Sequence, residues 1–461
     1  MESFEHVGYF WCPEEPEKKI PGKLSFDYVN GAELELLGSF AEGAIGRSSI
    51  IHGYITGNYQ RVTLSDYRSR SISSSIFNEI DETKLYFERI YMCKHHWFYD
   101  IEELAFDSIT VSFTHLSDWM LQDNPSRAII HFSKHSENVY KAAHKASFIL
   151  RDTIGVPYDN ARIRIWVAEK TNYFGRTHSS INYEFRCTIE LRETLHFDEF
   201  SPLFEFYLPK FLNVATGSAN FPVNIIGNSS DLPSEVHIYY RIPGYVDRGR
   251  SFIVSDMLFT YKDVRDMLAD YLTKWISNGE KLWTVYELYS QSYYRKGLDK
   301  SAEFMDLAHA LEVYHRTMYD GEYMGEEEYE PIKRKVIDAI PPDVSADHRA
   351  ALKAGLKYGY QYSLRTRLRK LLSEILAKQS ENIDMFIDNP SSFIHRLVET
   401  RNHFTHYDGE PNEYVLRDGE LYEFCLKVRV LLQICFLKDM GFPTGEISRL
   451  LNNYNSYKRF A

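Results

Sequence analysis

The chain has 461 residues, 44% hydrophobic and 15% aromatic, which is more than one typical core accommodates and enough apolar side chain to build cores without disulfide or metal staples. Its formal net charge of −12 speaks against indiscriminate nucleic-acid binding, so any RNA contact has to be local. Five scattered cysteines (Cys12, Cys93, Cys187, Cys425, Cys435), odd in number and never spaced CxxC, point to a reducing compartment; with no secretory leader pattern and no apolar run of membrane-span length, the expected location is cytoplasmic.

From the N-terminus, the strong segments have period two. KLYFERIYMC (residues 84–93) and SITVSFTHL (108–116) read as strands, and ARIRIWVAEK (161–170) alternates through Ile163, Ile165 and Val167. In INYEFRCTIELR, Tyr183, Phe185, Cys187, Ile189 and Leu191 share one face, and EVHIYYRI follows at 235–242. Clusters such as NGAE, TGNY and VPYDN supply turns between them. Residues 1–255 are therefore expected to form a β-rich domain, sandwich- or barrel-like, with some short helices.

The period then changes to that of helices. DVRDMLADYLTKWISNG, KLWTVYELYSQSYYRKG, KSAEFMDLAHALEVYHRTMYDG, LRTRLRKLLSEILAKQ, NPSSFIHRLVETRNHFTH and GELYEFCLKVRVLLQICFLKDMG follow in order, several ending at a glycine that can cap a helix. Residues 256–461 are expected to be a helical bundle, making the whole chain α+β. The acidic GEEEYE near residue 328 reads as a solvated loop between helices. The portions carry net charges of −8 and −4, so neither is a basic domain. The densest basic run of the bundle is Arg365, Arg367, Arg369 and Lys370, either a phosphate-binding stripe or a solvated face; Leu364, Leu368, Leu371 and Leu372 supply its buried side.

Near the C-terminus, one position breaks its pattern. Phe393, Ile394, Leu397, Val398 and Phe404 form an apolar stripe at helical spacing, and the stripe position just before Phe404 is Arg401. A cation on a packing face needs a carboxylate, a phosphate or a second subunit to meet it. Asn402 and His406, four apart, stack on one face beside it, and His403 is rotated away from that face. Other chemistry finds little support. CKHHW (Cys93, His95, His96) and HFSKH (His131, His135) lack a second ligand pair at metal-site spacing, so no metal is expected. GSFAEGAIGRSS has Ala44 where a phosphate loop needs Lys, and there is no G-x-S-x-G elbow; no cofactor is expected.

Arg401-Asn402-His403-Phe404-Thr405-His406 resembles the R-N-x-x-x-H signature of HEPN ribonucleases, on a helix opened by Asn389-Pro390. FMDLAHALEVYHR (304–316) resembles an earlier helix of the ApeA-like HEPN group. GYFWCPEEPEKKIPGKLSFDYVNGAELELLGSF, HGYITGNYQRVTL and SITVSFTHLSDWM resemble the N-terminal domain found with it. The resemblance implies an antiphage protein of abortive-infection type, with an N-terminal sensor controlling a metal-independent RNase that cleaves RNA, tRNA foremost. It also implies a homodimer through the HEPN domain, and a phage protein as trigger. Arg401 would stabilise the phosphorane, His406 would move the proton, and Asn402 would orient His406 or a phosphate oxygen. Glu312 either holds Arg401 or is a solvated helix residue, and His403 has a supporting part at most. The rival reading is a non-catalytic sensor or scaffold that dimerises through its helices.

Overall fold

Six strands at the N-terminus close into a barrel. The computed structural model describes residues 3–40, 50–57, 60–73, 82–100, 104–120, 130–135, 139–144, 154–155, 161–174, 178–244, 253–295, 297–319, 321–406 and 412–460. Most of GSFAEGAIGRSS, the end of YRIPGYVDRGR, and the side chains of His131, His135, Val167 and Tyr183 lie outside what is described. The chain divides into two compact units, Met1–Ser277 and Asn278–Ala461.

In the first unit β1 (Phe4–Trp11), β2 (Ile20–Asp27), β3 (Gly31–Leu37), β4 (Ile51–Ile55), β5 (Gln60–Ser73) and β6 (Glu82–Cys93) run antiparallel in the order β6-β3-β2-β1-β4-β5, and β5 pairs again with β6 to complete the ring. Alternate residues point inward, so Phe10, Leu24, Leu34, Val62, Leu85 and Phe87 are buried. A small barrel bends sharply, and glycine relieves the crowding. Gly8 and Gly22 oppose each other on β1 and β2, and a Cβ on either would strike a neighbouring strand carbonyl; the Phe10 ring covers Gly53 on β4.

Beyond the barrel the sheet continues from β6 through β14 (Val236–Tyr240), β13 (Pro222–Asn228), β7 (Ala105–Phe113) and β12 (His178–His196) to β11 (Ala161–Phe174) and β10 (Ile154–Gly155). β8 (Ile130–His135) and β9 (Val139–His144) form a separate ribbon. Short helices α1 (Leu116–Met120), α2 (Phe197–Pro202), α3 (Leu208–Thr216) and α4 (Tyr261–Val264) accompany this open sheet, with a π-helical turn at Leu203–Tyr207 joining α2 to α3. Aromatic packing holds them: Trp119 Nε1 donates to Phe259 O at 3.1 Å, and its ring meets Phe211 and Tyr261 edge-on. All five cysteines are free and buried.

The remaining helices are α5 (Leu268–Tyr294), α6 (Lys300–Met318), α7 (Glu326–Asp338), α8 (Ala346–Gly355), α9 (Leu364–Asp384), α10 (Pro390–His406), α11 (Asp418–Met440), α12 (Thr444–Asn453) and α13 (Asn455–Lys458). Two sequence expectations need correction. The break foreseen at Asn278-Gly279 does not occur: buried Trp275, Ile276, Leu282 and Val285 keep one stripe in phase through α5, and that burial outweighs the roughly 1 kcal/mol a helical glycine costs. GEEEYE is not a loop either. Glu326, Glu327 and Glu328 form the first turn of α7, where carboxylates complement the exposed N–H groups of the helix start.

α11 is buried all round from Val428 to Leu437, with Val428, Leu431, Leu432, Ile434, Cys435 and Phe436 in the core, as the central helix of a bundle must be, and Gly441 ends it in the left-handed conformation at φ 91°. Tyr314 of α6 donates its hydroxyl to Asp439 Oδ2 of α11 at 2.8 Å. Burial pushes the Asp439 carboxyl up to about 6, against the downward pull of Tyr314 and Lys438. A carboxyl raised above its ordinary 3.8 stabilises the fold while protonated; that contribution is complete below 3.8 and is lost as pH rises through about 6. Asp439→Asn keeps a neutral acceptor and should flatten this loss. Thermal melts at about pH 4 and about pH 7.5 measure it, and a wild-type slope in the variant would contradict the assignment.

Candidate active site

α10 starts where its sequence says it should. Asn389 caps it, its Oδ1 accepting from Ser392 N and its carbonyl from Phe393 N, both at 2.9 Å, and Pro390 takes the first helical position, where no N–H is needed. Phe393, Ile394, Leu397 and Val398 are buried, and Phe393 stacks on Phe424 of α11 at 4.6 Å. Phe404 meets Phe304 of α6 edge-on at 6.0 Å. Between them, Thr400 is fully buried and its hydroxyl accepts from Leu416 N at 2.9 Å. These contacts clamp α10 to α6 and α11 up to its last turn.

On this clamped face Arg401 is partly buried, and Glu312 of α6 faces it: Arg401 Nη2 lies 4.0 Å from Glu312 Oε2. Arg401 Nη1 also donates to Asn402 Oδ1 at 3.3 Å, and Thr405 Oγ1 donates to Arg401 O at 2.7 Å. The Arg401 side chain retains 35% exposure and its ion pair is long, so the guanidinium is steered by the carboxylate while keeping N–H groups for a ligand. Asn402 and His406 are exposed on the same face, and the His406 side chain forms no hydrogen bond or ion pair among the described residues. His403 lines an open pocket with Phe404, Lys300, Ser301 and Arg417. No group of three or more His, Cys, Asp or Glu side chains that could hold a metal ion occurs among the described residues.

The basic run on α9 is split by its spacing. Arg365 shares its Nη1 with His395 Nδ1 at 2.8 Å and reaches Glu399 at 3.2 Å, tying α9 to α10. Arg367, two residues on, turns to the leucine side and is 1% exposed. It donates to two backbone carbonyls, Tyr362 O from Nε at 3.1 Å and Gly321 O from Nη2 at 3.2 Å, and a Cβ at Gly321 would collide with its Nη1. Arg369 and Lys370 remain exposed. One residue that sequence reading passed over is Arg316, whose Nη2 donates to Glu312 Oε1 at 2.9 Å, so Glu312 serves two guanidinium groups at once. Its signal was the four-residue spacing from Glu312 in ALEVYHR.

No helix among the described residues is long and apolar enough to cross a membrane. No curated protein and no solved structure matches this chain. Two family models do. One described as Apea-like HEPN matches residues 305–446, which holds α9, α10 and both Glu312 and Arg401. The other, described as ApeA N-terminal domain 1, matches residues 5–275, more than half of the chain. A β-barrel-containing N-terminal region and a helical HEPN region in this order make the chain a member of the ApeA-like HEPN family.

Proposed function

We propose that this protein is a metal-independent endoribonuclease of antiphage defence, with residues 256–461 as the RNase and residues 1–255 as the sensor that controls it. HEPN domains are generally those of ribonucleases, and one observation supports catalysis here: Arg401 is positioned on α10 against Glu312 yet left partly exposed, beside Asn402 and His406. When the ribose 2′-oxygen attacks the adjacent phosphorus, the phosphorane gains negative charge, and Arg401 offers a fixed planar cation for it. His406 takes the 2′-hydroxyl proton or delivers one to the leaving 5′-oxygen. Asn402 orients the phosphate or the imidazole. The bond formed is 2′-O–P and the bond broken is P–O5′, so the fragments end in a 2′,3′-cyclic phosphate and a 5′-hydroxyl.

The substrate class is structured RNA with accessible single-stranded loops, tRNA above all, because such loops expose the 2′-hydroxyl and bases to a protein site. A second copy facing the first through the HEPN unit would bring two Arg401–His406 sets together. In the N-terminal unit Tyr9 and Tyr99 are 48% and 61% exposed, and Arg61 sits 4.2 Å over Trp97, side-chain types that carry binding energy at protein interfaces and suit recognition of a phage protein.

Deleting residues 1–255, or replacing Tyr9 and Tyr99, and measuring toxicity with and without phage tests the sensor. Toxicity without infection, or loss of the phage response, is expected. Unchanged phage-dependent protection by the helical unit alone would sink it. The scaffold alternative predicts intact total RNA under every activating condition.

A further inference from the structure

The segment that joins α6 to α9 brings an aromatic ring, that of Tyr323, to the surface near Arg367, on which Glu312 of the Arg401 pair also acts electrostatically. Tyr323 is 53% exposed, yet it is held on several sides. Its hydroxyl shares a hydrogen bond with Thr366 Oγ1 at 2.8 Å, and its ring packs against Tyr362 at 4.8 Å, nearly edge-on. Tyr323 N donates to Tyr360 O and Tyr362 N to Gly321 O, both at 2.7 Å, so the two ends of the segment pair like strands. Buried Arg367 fastens both ends through Gly321 O and Tyr362 O. An exposed ring already fixed in place loses little freedom when something stacks on it.

Cations lie close to this ring and to the residues that hold it, in an otherwise acidic chain. Lys370 Nζ lies 4.9 Å over the Tyr362 ring; hydrogen bonds with Thr366 and Ser363 hold the Tyr323 hydroxyl below its ordinary value, and the charge of Arg369 adds a smaller pull in the same direction. Neither Arg369 nor Lys370 forms an ion pair with a carboxylate among the described residues. Arg316, 55% exposed, extends the series toward Arg401 through their shared Glu312. Among the described carboxylates, Glu312 is taken by Arg316 and Arg401, Glu322 acts electrostatically on Arg367, and Glu374, one turn after Lys370 on α9, pairs with Lys438.

We propose that Tyr323, with Arg316, Arg369 and Lys370 around it, is a binding subsite for an unpaired nucleotide flanking the scissile phosphate: the base stacks on Tyr323 and the neighbouring phosphates meet the cations. The subsite rests on the ribonuclease reading and adds where the substrate is gripped. Stacking on a tyrosine accepts any base, so this grip selects unpaired RNA over duplex while leaving base choice open.

The test is binding of a labelled single-stranded oligoribonucleotide carrying 2′-O-methyl groups, which block the attacking 2′-oxygen, to the full-length protein by fluorescence anisotropy. Tyr323→Ala and Arg369→Ala should each weaken binding about ten-fold, and Tyr323→Trp should retain it. In cleavage assays the same Ala variants should raise KM more than they lower kcat. Exposed positions keep these variants folded, and circular dichroism checks it. Wild-type protein that cleaves RNA, with both Ala variants binding at wild-type strength, would overturn the subsite while leaving the ribonuclease reading intact. Wild-type protein that neither binds nor cleaves RNA would overturn both. Loss confined to a protein ligand, with oligonucleotide binding unchanged, would reassign the ring to a protein partner.

Discussion

Arg401→Ala is expected to cut RNA cleavage by a factor on the order of 100–1,000, the usual consequence of removing one fixed donor aimed at charge that develops in a transition state. The fold should survive. Arg401 makes one long ion pair to Glu312 and one bond to its neighbour Asn402, while the packing of α10 is carried by Phe393, Ile394, Leu397 and Val398. Arg401→Lys separates charge from shape: a point cation on a flexible stem restores only part of the rate if bidentate contact with the phosphorane matters. His406→Ala should cost about 100–10,000-fold and change the shape of the pH–rate profile, since a general acid or base is lost, whereas Asn402→Ala should be milder. Near-normal cleavage by either Arg401→Ala or His406→Ala would end the catalytic assignment.

Glu303→Ala is expected to destabilise the helical unit by about 3–5 kcal/mol, because it leaves a buried cation without its carboxylate. Arg429 of α11 is 6% exposed and Glu303 of α6 is 7% exposed; Arg429 Nη2 donates to Glu303 Oε1 at 2.8 Å and to Ser292 Oγ at 2.6 Å, and Nη1 donates to Tyr289 O at 3.1 Å. The guanidinium also lies 4.6 Å over the Tyr293 ring. Burial alone would raise the Glu303 carboxyl, but Arg429 and Lys300 together hold it below its ordinary 4.5. Its stabilisation is therefore present above 4.5 and lost as pH falls through the lower folded value. Denaturant midpoints of wild type and variant should differ widely near neutral pH and approach one another in acid. An unchanged midpoint at neutral pH would show that the pair contributes nothing to stability.

What could be read from the sequence was mostly local. Asn389-Pro390 and the stripe at Phe393, Ile394, Leu397 and Val398 placed α10, and the polar intruder in that stripe pointed at Arg401 before any partner was visible. Period-two segments placed the strands, but nothing in them announced that β5 returns to β6, because ring closure depends on register summed over six strands. Glycine and glutamate misled where tertiary burial or helix-end electrostatics overrode punctuation, at Gly279 and at Glu326–Glu328. Arg367 was illegible for a different reason. Its partners are the carbonyls of Gly321 and Tyr362, and a backbone acceptor leaves no residue type to recognise. Tyr323, too, looks like any loop tyrosine until Thr366 and Tyr362 are seen to hold it.

The central claim is that Arg401 and His406 direct attack by the substrate's own 2′-oxygen. The chemistry of the cut ends tests it most directly. RNA treated with the activated full-length protein in excess EDTA should yield fragments ending in 2′,3′-cyclic phosphate and 5′-hydroxyl, and Arg401→Ala should yield them at least about 100-fold more slowly. Cleavage that stops with EDTA, fragments bearing 5′-phosphate and 3′-hydroxyl, or equal fragmentation by Arg401→Ala would contradict it.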